Sequence, residues 1–377
     1  MRGQQSAAPR ANEVNLLPYW ILFAYFALGA AMAPVQAFAD QRPRRLYLLT
    51  GAVLMTLMIG TRFKVGGDWR SYEYMFAFVR HASLERSLQI GDPGYQFINW
   101  TVQQWNGEIW WVNLVCAAIF VWGLTRLCLN QPMPLLAVVV AIPYMIIVVA
   151  MGYTRQAAAL GVLMAGLASL GRGGSVVRFA VYVAVAALFH KTAVLVLPLV
   201  IFAGKRNRLL NVIAGAALFI LFFDLFLSDS TDQFVKAYVE ARYSSQGAWI
   251  RVILDVVPAV LLLLRRGQFG LTDQEEKVWR YLAFTACALP LVLLTTPSST
   301  AVDRMALYLM PLQIVVLSRA YMLFNKPRTG VFAVIAYALL IQFTWLNFAQ
   351  FAKLWLPYRS NLLEDTSVRE SDRNATH

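Results

Sequence analysis

Apolar residues recur along the chain in blocks, most of them near the length of about 17–25 residues at which a helix crosses a hydrocarbon core. The blocks predict helices over 17–39, 46–61, 108–129, 135–151, 155–171, 177–190, 192–204, 209–228, 249–264, 279–296, 304–324 and 329–350. The sixth and seventh are short for spans and leave 150–204 open to a re-entrant course, so the expectation is ten to twelve crossings. A membrane barrel would instead alternate apolar and polar residues in segments of about ten. Val194 to Phe202 and Leu218 to Leu227, apolar except for Asp224, show no such alternation. The prediction is an all-α polytopic membrane protein.

Composition agrees. The chain is 59% hydrophobic and 14% charged, with a mean hydropathy of +0.55, against about 25% charged residues in a soluble domain. A water-facing globule could not hide so much apolar surface. Residues 1–350 read as a single transmembrane domain and 351–377 as a polar tail predicted to be disordered. Residues 1–15 carry no apolar core with a small-residue cleavage site, so a cleaved signal peptide is not expected. Cys116, Cys128 and Cys287 fall inside apolar blocks, as small buried hydrophobes do.

The net charge of +13 does not call for nucleic acid, because no basic run is interleaved with aromatics. Alternate short connections instead carry Arg42, Arg44 and Arg45; Arg126; Arg172 and Arg178; Lys205, Arg206 and Arg208; Arg265, Arg266, Lys277 and Arg280; and Arg319, Lys326 and Arg328. By the positive-inside rule those loops face the cytoplasm. Arg2 and Arg10, in a tail that this topology puts outside, run against it.

The opposite face then collects a different chemistry. Arg62 to Tyr72 places two glycines between cations and Asp68, a turn where backbone N–H groups can approach an anion. Asp92-Pro93-Gly94-Tyr95 reads as a turn. Tyr153-Thr154-Arg155-Gln156 and Phe189-His190-Lys191-Thr192 interrupt apolar sequence, and a His-Lys pair there is costly to insert. Ser298 to Arg304, followed by Tyr308, holds an Asp303-Arg304 pair, and the loop 228–248 adds Tyr238, Arg242 and Tyr243. Each has an ordinary explanation as anchor, turn or cap. Together, Arg62, Arg155, Lys191, Arg242 and Arg304 would make a cationic cavity suited to phosphate oxygens, with aromatic faces for sugar rings. The aromatic-rich loop 62–107 is expected to lie partly flat at the interface as an amphipathic helix.

In this order, R-x-x-V-G-G-D-W-x-x-Y from Arg62 to Tyr72, Asp92 to Tyr95, Thr154-Arg155-Gln156, Phe189 to Thr192 and Asp303-Arg304 with Tyr308 resemble the EpsG family of bacterial exopolysaccharide proteins. That family is similar to the Wzy polysaccharide polymerases. Trp69 stands where the resemblance leads one to expect Tyr. The resemblance implies a GT-C-like inner-membrane glycosyltransferase acting at the periplasmic face. Its substrates would be undecaprenyl-diphosphate-linked oligosaccharides, and it would use no nucleotide sugar, metal or other cofactor. Arg155 and Arg304 would take the diphosphate, supported by Arg62, Lys64, Lys191 and Arg242. Tyr72, Tyr95, Gln156 and Tyr308 would complete the substrate site. His190, then Asp68, then Asp303 are candidates for the base, although Asp303 could serve only to hold Arg304. A flippase and a chain-length regulator of the same pathway are the expected partners. A transporter of lipid-linked oligosaccharide is the main rival reading. It would place polar breaks near the midplane of two repeated halves, whereas no repeat is evident. A glycan ligase shares the same donor chemistry.

Overall fold

The computed structural model describes residues 16–33, 42–197, 247–296 and 299–363, together with 213, 216–217 and 220–221. Among these residues the secondary structure is helical throughout, with one isolated antiparallel bridge between Arg62 and Ser360. Helices α1 (Leu17–Met32) and α2 (Arg42–Gly60) are followed by three short ones, α3 (Trp69–Phe78), α4 (Leu84–Gln89) and α5 (Pro93–Gln104). Then come α6 (Ile109–Leu129), α7 (Pro134–Ala141), α8 (Thr154–Gly171) and α9 (Val176–Phe189). The C-terminal part holds α10 (Ala248–Arg265), α11 (Asp273–Thr295), α12 (Ser299–Ala306), α13 (Pro311–Leu317) and α14 (Pro327–Phe348).

Three of these, α6, α11 and α14, are long and apolar enough to cross a membrane alone. Four shorter apolar helices lie over Leu17–Met32, Arg45–Gly60, Pro134–Ala150 and Val177–Phe189. Most of the expected spans 209–228 and 192–204 lies outside the described residues. Leu28, Leu49, Val181, Leu291 and Leu340 are exposed on the outside of the bundle, where a water-soluble helix would show polar side chains. Lipid is the solvent that such a surface fits.

Two predicted helices are broken, and proline explains both. The stretch 135–151 begins as α7 but widens into a π-helix over Ile142–Ala150. Pro143 has no N–H for the carbonyl of Val139, which favours the wider turn. The stretch 304–324 divides at Pro311 into α12 and α13, with a 3₁₀ turn at Ala320–Leu323.

The π-helix and α8 form the buried centre, and α6 packs along α8 through glycines. A Cβ on Gly123 would fall 1.7 Å from the Gly161 carbonyl oxygen, and one on Gly161 only 2.5 Å from the Phe120 Cα. Small residues of this kind let helix backbones touch in lipid. Gly123→Val should force the pair apart at a cost of about 1–3 kcal/mol or more. A fall in detergent melting temperature checks this, and an unchanged melting temperature would contradict it.

Residues 351–363, assigned by polarity to the disordered tail, are folded. Gln350–Leu354 is a 3₁₀ turn, and Trp355 is buried with its indole N–H donating to the Ile147 carbonyl at 2.9 Å. Residues 351–363 therefore belong with the helical bundle, since Trp355 carries the large apolar surface that the polarity of its neighbours obscures. Cys116 and Cys128 are buried and free, and Cys287 is half-buried and free.

Candidate functional site

The chain direction of the helices brings the singled-out motifs to one end of the bundle. α2 ends there at Gly60, α8 begins there at Thr154, α9 ends there at Phe189, and α12 lies there. The first motif docks on the third through glycine. Gly66 has φ +113, and a Cβ on it would sit 2.3 Å from the Met151 carbonyl oxygen. Its N–H donates to the Leu354 carbonyl at 2.9 Å. The rim of Trp355 covers both Gly67 and Gly152. Only glycine permits the left-handed backbone and the close approach together.

Arg62 is the buried post of this assembly, 1% exposed. Its guanidinium donates to the carbonyls of Ile59 (2.5 Å) and Val65 (3.2 Å), to Thr154 Oγ1 (2.6 Å) and to Asn113 Oδ1 (3.3 Å). All three of its guanidinium nitrogens are engaged by protein oxygens, so Arg62 scaffolds the loop; the role expected of it as a support for the diphosphate has to pass through the residues it holds. Lys64 is exposed at φ 53, with its ammonium over the Phe63 ring.

Asp92, read from the sequence as the opening of a turn, does more than turn the chain. The turn Asp92-Pro93-Gly94 seats on the end of α9, and a Cβ on Gly94 would press 3.0 Å from the Leu188 carbonyl oxygen. Asp92 makes no side-chain cap for α5. Its carboxylate, 4% exposed, instead accepts from Arg155 Nη1 at 2.7 Å and from the Lys191 backbone N–H at 3.2 Å, and it lies 3.7 Å from His190 Nδ1. Burial works to raise its pKa, but the His190 hydrogen bond and charge, Arg155 and the Lys191 N–H outweigh burial and hold it below the usual carboxylate range. Three motifs thus meet on one carboxylate.

Arg304 forms the other wall. Its guanidinium lies 3.9 Å above the Tyr153 ring centroid and 3.7 Å from Asp68, and it donates to Gln156 Oε1 at 3.3 Å. Gln156 returns a hydrogen bond to the Arg304 carbonyl at 2.9 Å. Tyr308 exchanges a hydrogen bond with Thr192 at 2.8 Å, tying α12 and its following turn to the His190 connection. Asp303 is ion-paired with Arg251 of α10. Asp303 thus pairs with Arg251, while Arg304 reaches Gln156, Tyr153 and Asp68.

Tyr72 marks where the walls meet. Burial pushes its hydroxyl up to about 12, reinforced by Asp68 and opposed by Arg155 and Arg304. All three charges therefore act on one buried oxygen. The Tyr72 and Tyr95 rings pack 5.5 Å apart, and the Arg155 guanidinium lies 5.9 Å from the Tyr72 ring centroid. Arg155 Nε and the Tyr95 hydroxyl are buried without a hydrogen-bond partner among the described residues. Arg155, His190, Arg304 and Asp68 all keep partial exposure, with side chains 29%, 17%, 24% and 34% accessible. Arg242, Tyr238 and Tyr243 lie outside the described residues, as does Ser298. The loop 62–107 forms α3, α4 and α5, whose buried faces carry Trp69, Tyr72, Phe76 and Tyr95.

An apolar helical bundle with a lipid-fitting exterior and one polar, charged end defines a helical integral membrane protein. The chain belongs to the EpsG family, whose model matches residues 45–360. That membership points to a Wzy-like polysaccharide polymerase, a membrane enzyme of glycosyltransferase type. No curated protein and no solved structure matches the chain.

Proposed function

We propose that the protein polymerises lipid-linked oligosaccharide repeat units in exopolysaccharide synthesis. The growing glycan passes from undecaprenyl diphosphate to the next repeat unit at the periplasmic face of the inner membrane, within a GT-C-like bundle. The supporting observation is the convergence of Arg155, Arg304 and Asp68 around Tyr72, with His190 joined to Arg155 through Asp92, fed by separate motifs and still reachable from outside. The predominance of arginine in the short loops at the other end supports the choice of side.

In the reaction the acceptor hydroxyl oxygen bonds to the anomeric carbon of the donor glycan as that carbon's bond to the phosphate oxygen breaks. The diphosphate leaves with the electron pair. Arg155 and Arg304 offer forked donors to its oxygens in a partly dry setting, where charge stabilisation is strongest, and the Lys191 side chain adds a third cation. Asp92, already paired with Arg155, faces His190 Nδ1. A proton held there leaves Nε2 as the basic nitrogen that takes the acceptor's proton, with Asp92 orienting the ring. Asp68 is the second candidate, weakened by its proximity to Arg304. Asp303 drops out of the base role because it is buried against Arg251. Tyr95 and Tyr308 are buried behind these groups and brace them, Tyr95 against the Tyr72 ring and Tyr308 through Thr192.

Purified protein supplied with lipid-linked repeat units, without nucleotide sugar or added metal, should yield a ladder of lengthening glycans. Movement of the substrate between leaflets without growth would identify a flippase, and transfer of finished glycan to an unrelated acceptor a ligase.

A further inference from the structure

The far end of the bundle carries a second cationic feature that sugar transfer does not use. A cleft of about 500 Å³ is lined by Arg126, Arg172, Arg178, Ser169, Ser175 and Tyr182, with Gly173 and Gly174 at its floor. Its three arginines come from the ends of three helices, α6, α8 and α9. Among the described residues none of the three has a carboxylate within ion-pairing distance; Arg126 lies over the Trp122 ring instead, 5.5 Å from its centroid. Glu275, beside Gly171, is held by Arg319 at 3.3 Å and by Thr272. Gly173 has φ +87 with open space around it, so the α8–α9 turn exposes backbone to the cleft.

A second cleft of about 320 Å³ adjoins through the shared Arg172 and is lined by Arg45, Leu48, Leu49, Leu129 and Asn130. Leu46, Leu49 and Leu129 are exposed beside it. Cations thus stand immediately next to bare apolar wall, and Asn130 fixes their spacing by donating to the Ala168 carbonyl at 2.9 Å.

We infer that these joined clefts bind the phosphate headgroup of an anionic bilayer lipid, with its acyl chain along the exposed Leu49 and Leu129. A free phosphate would be served by the arginines alone; the apolar flank at the level of the headgroup is what selects an amphiphile. Arginine supplies forked donors to phosphate oxygens, and basic recesses between membrane helices take anionic headgroups in this way. The site lies at the end of the bundle opposite Arg155 and His190 and does not depend on their chemistry.

Native mass spectrometry of the full chain, extracted from vesicles of phosphatidylcholine mixed with phosphatidylglycerol, tests the inference. Phosphatidylglycerol should be retained over phosphatidylcholine. Retention should fall about fivefold for each of Arg126→Gln, Arg172→Gln and Arg178→Gln, while Arg70→Gln at the other end should leave it unchanged. Because Arg172 and Arg178 are exposed, their single variants keep the fold intact even if Arg126→Gln, at a half-buried position, does not. Equal retention of the two lipids, or undiminished retention in both single variants, would overturn the inference. Complete displacement of the lipid by inorganic diphosphate would assign the clefts to a soluble anion and overturn it as well.

Discussion

Arg155→Ala is expected to abolish high-molecular-weight polymer while the protein still inserts in the membrane. Arg155 combines a salt bridge to Asp92, a position beside the Tyr72 ring and a buried Nε with no hydrogen-bond partner among the described residues. Removing one preorganised donor from a site where charge develops costs about 10²–10³ in rate. Here the loss should be larger, because Asp92 would remain in the site without its guanidinium partner and repel the diphosphate. Arg155→Lys separates charge from geometry. It keeps a cation but gives up the fork, so residual short chains are expected where Arg155→Ala gives none. Gel profiles of extracted polysaccharide beside membrane protein levels provide the measurement. Normal polymer from Arg155→Ala would remove the diphosphate from this end of the bundle.

His190→Ala should lower turnover by about 10²–10⁴-fold, the range for loss of a positioned base, without weakening retention of the lipid-linked donor. Asp92→Asn should reproduce most of that defect and also destabilise the fold, because it leaves Arg155 and His190 without their shared carboxylate. Partial exposure of Arg155 limits the stability cost to about 3 kcal/mol at most. The pH dependence has a definite sign. The Asp92 pKa is held below its unfolded value of about 3.9, so its stabilisation is complete above that value and is lost as pH falls through the lower folded value. The gap in melting temperature between the natural chain and Asp92→Asn should therefore be full at neutral pH and close in acid. A gap that widened in acid would show that Asp92 is not held as a carboxylate. A His190→Ala enzyme with unchanged turnover would pass the base role to Asp68.

Much of the candidate site was legible because polar groups inside apolar sequence are expensive and therefore conspicuous. His190-Lys191, Thr154-Arg155 and Asp303-Arg304 stood out for that reason, and the alternation of loops put them at one end. What sequence could not supply was the identity of partners. Asp92 looked like the opening of a Pro-Gly turn, and nothing local distinguishes a turn aspartate from one that reaches Arg155 sixty-three positions away. Arg62 looked like a ligand because charge is visible in sequence, while the carbonyls that absorb it are not. Helix positions followed from hydropathy. The π-helix at Ile142–Ala150 and the division at Pro311 depend on how a proline is accommodated, which hydropathy does not encode.

The stretch from Gln350 to Asn361 has a practical consequence for experiments that map sidedness with reporters. Trp355 roofs Gly67 and Gly152, Asn361 caps the carbonyls of Thr61 and Arg62, and the Arg359 carbonyl receives the Phe63 N–H. A reporter fused at any earlier position yields a chain whose first motif has lost its clamp, however well its helices insert. Such fusions can report sidedness but should be catalytically dead, and only junctions beyond residue 361 would keep the enzyme in working order.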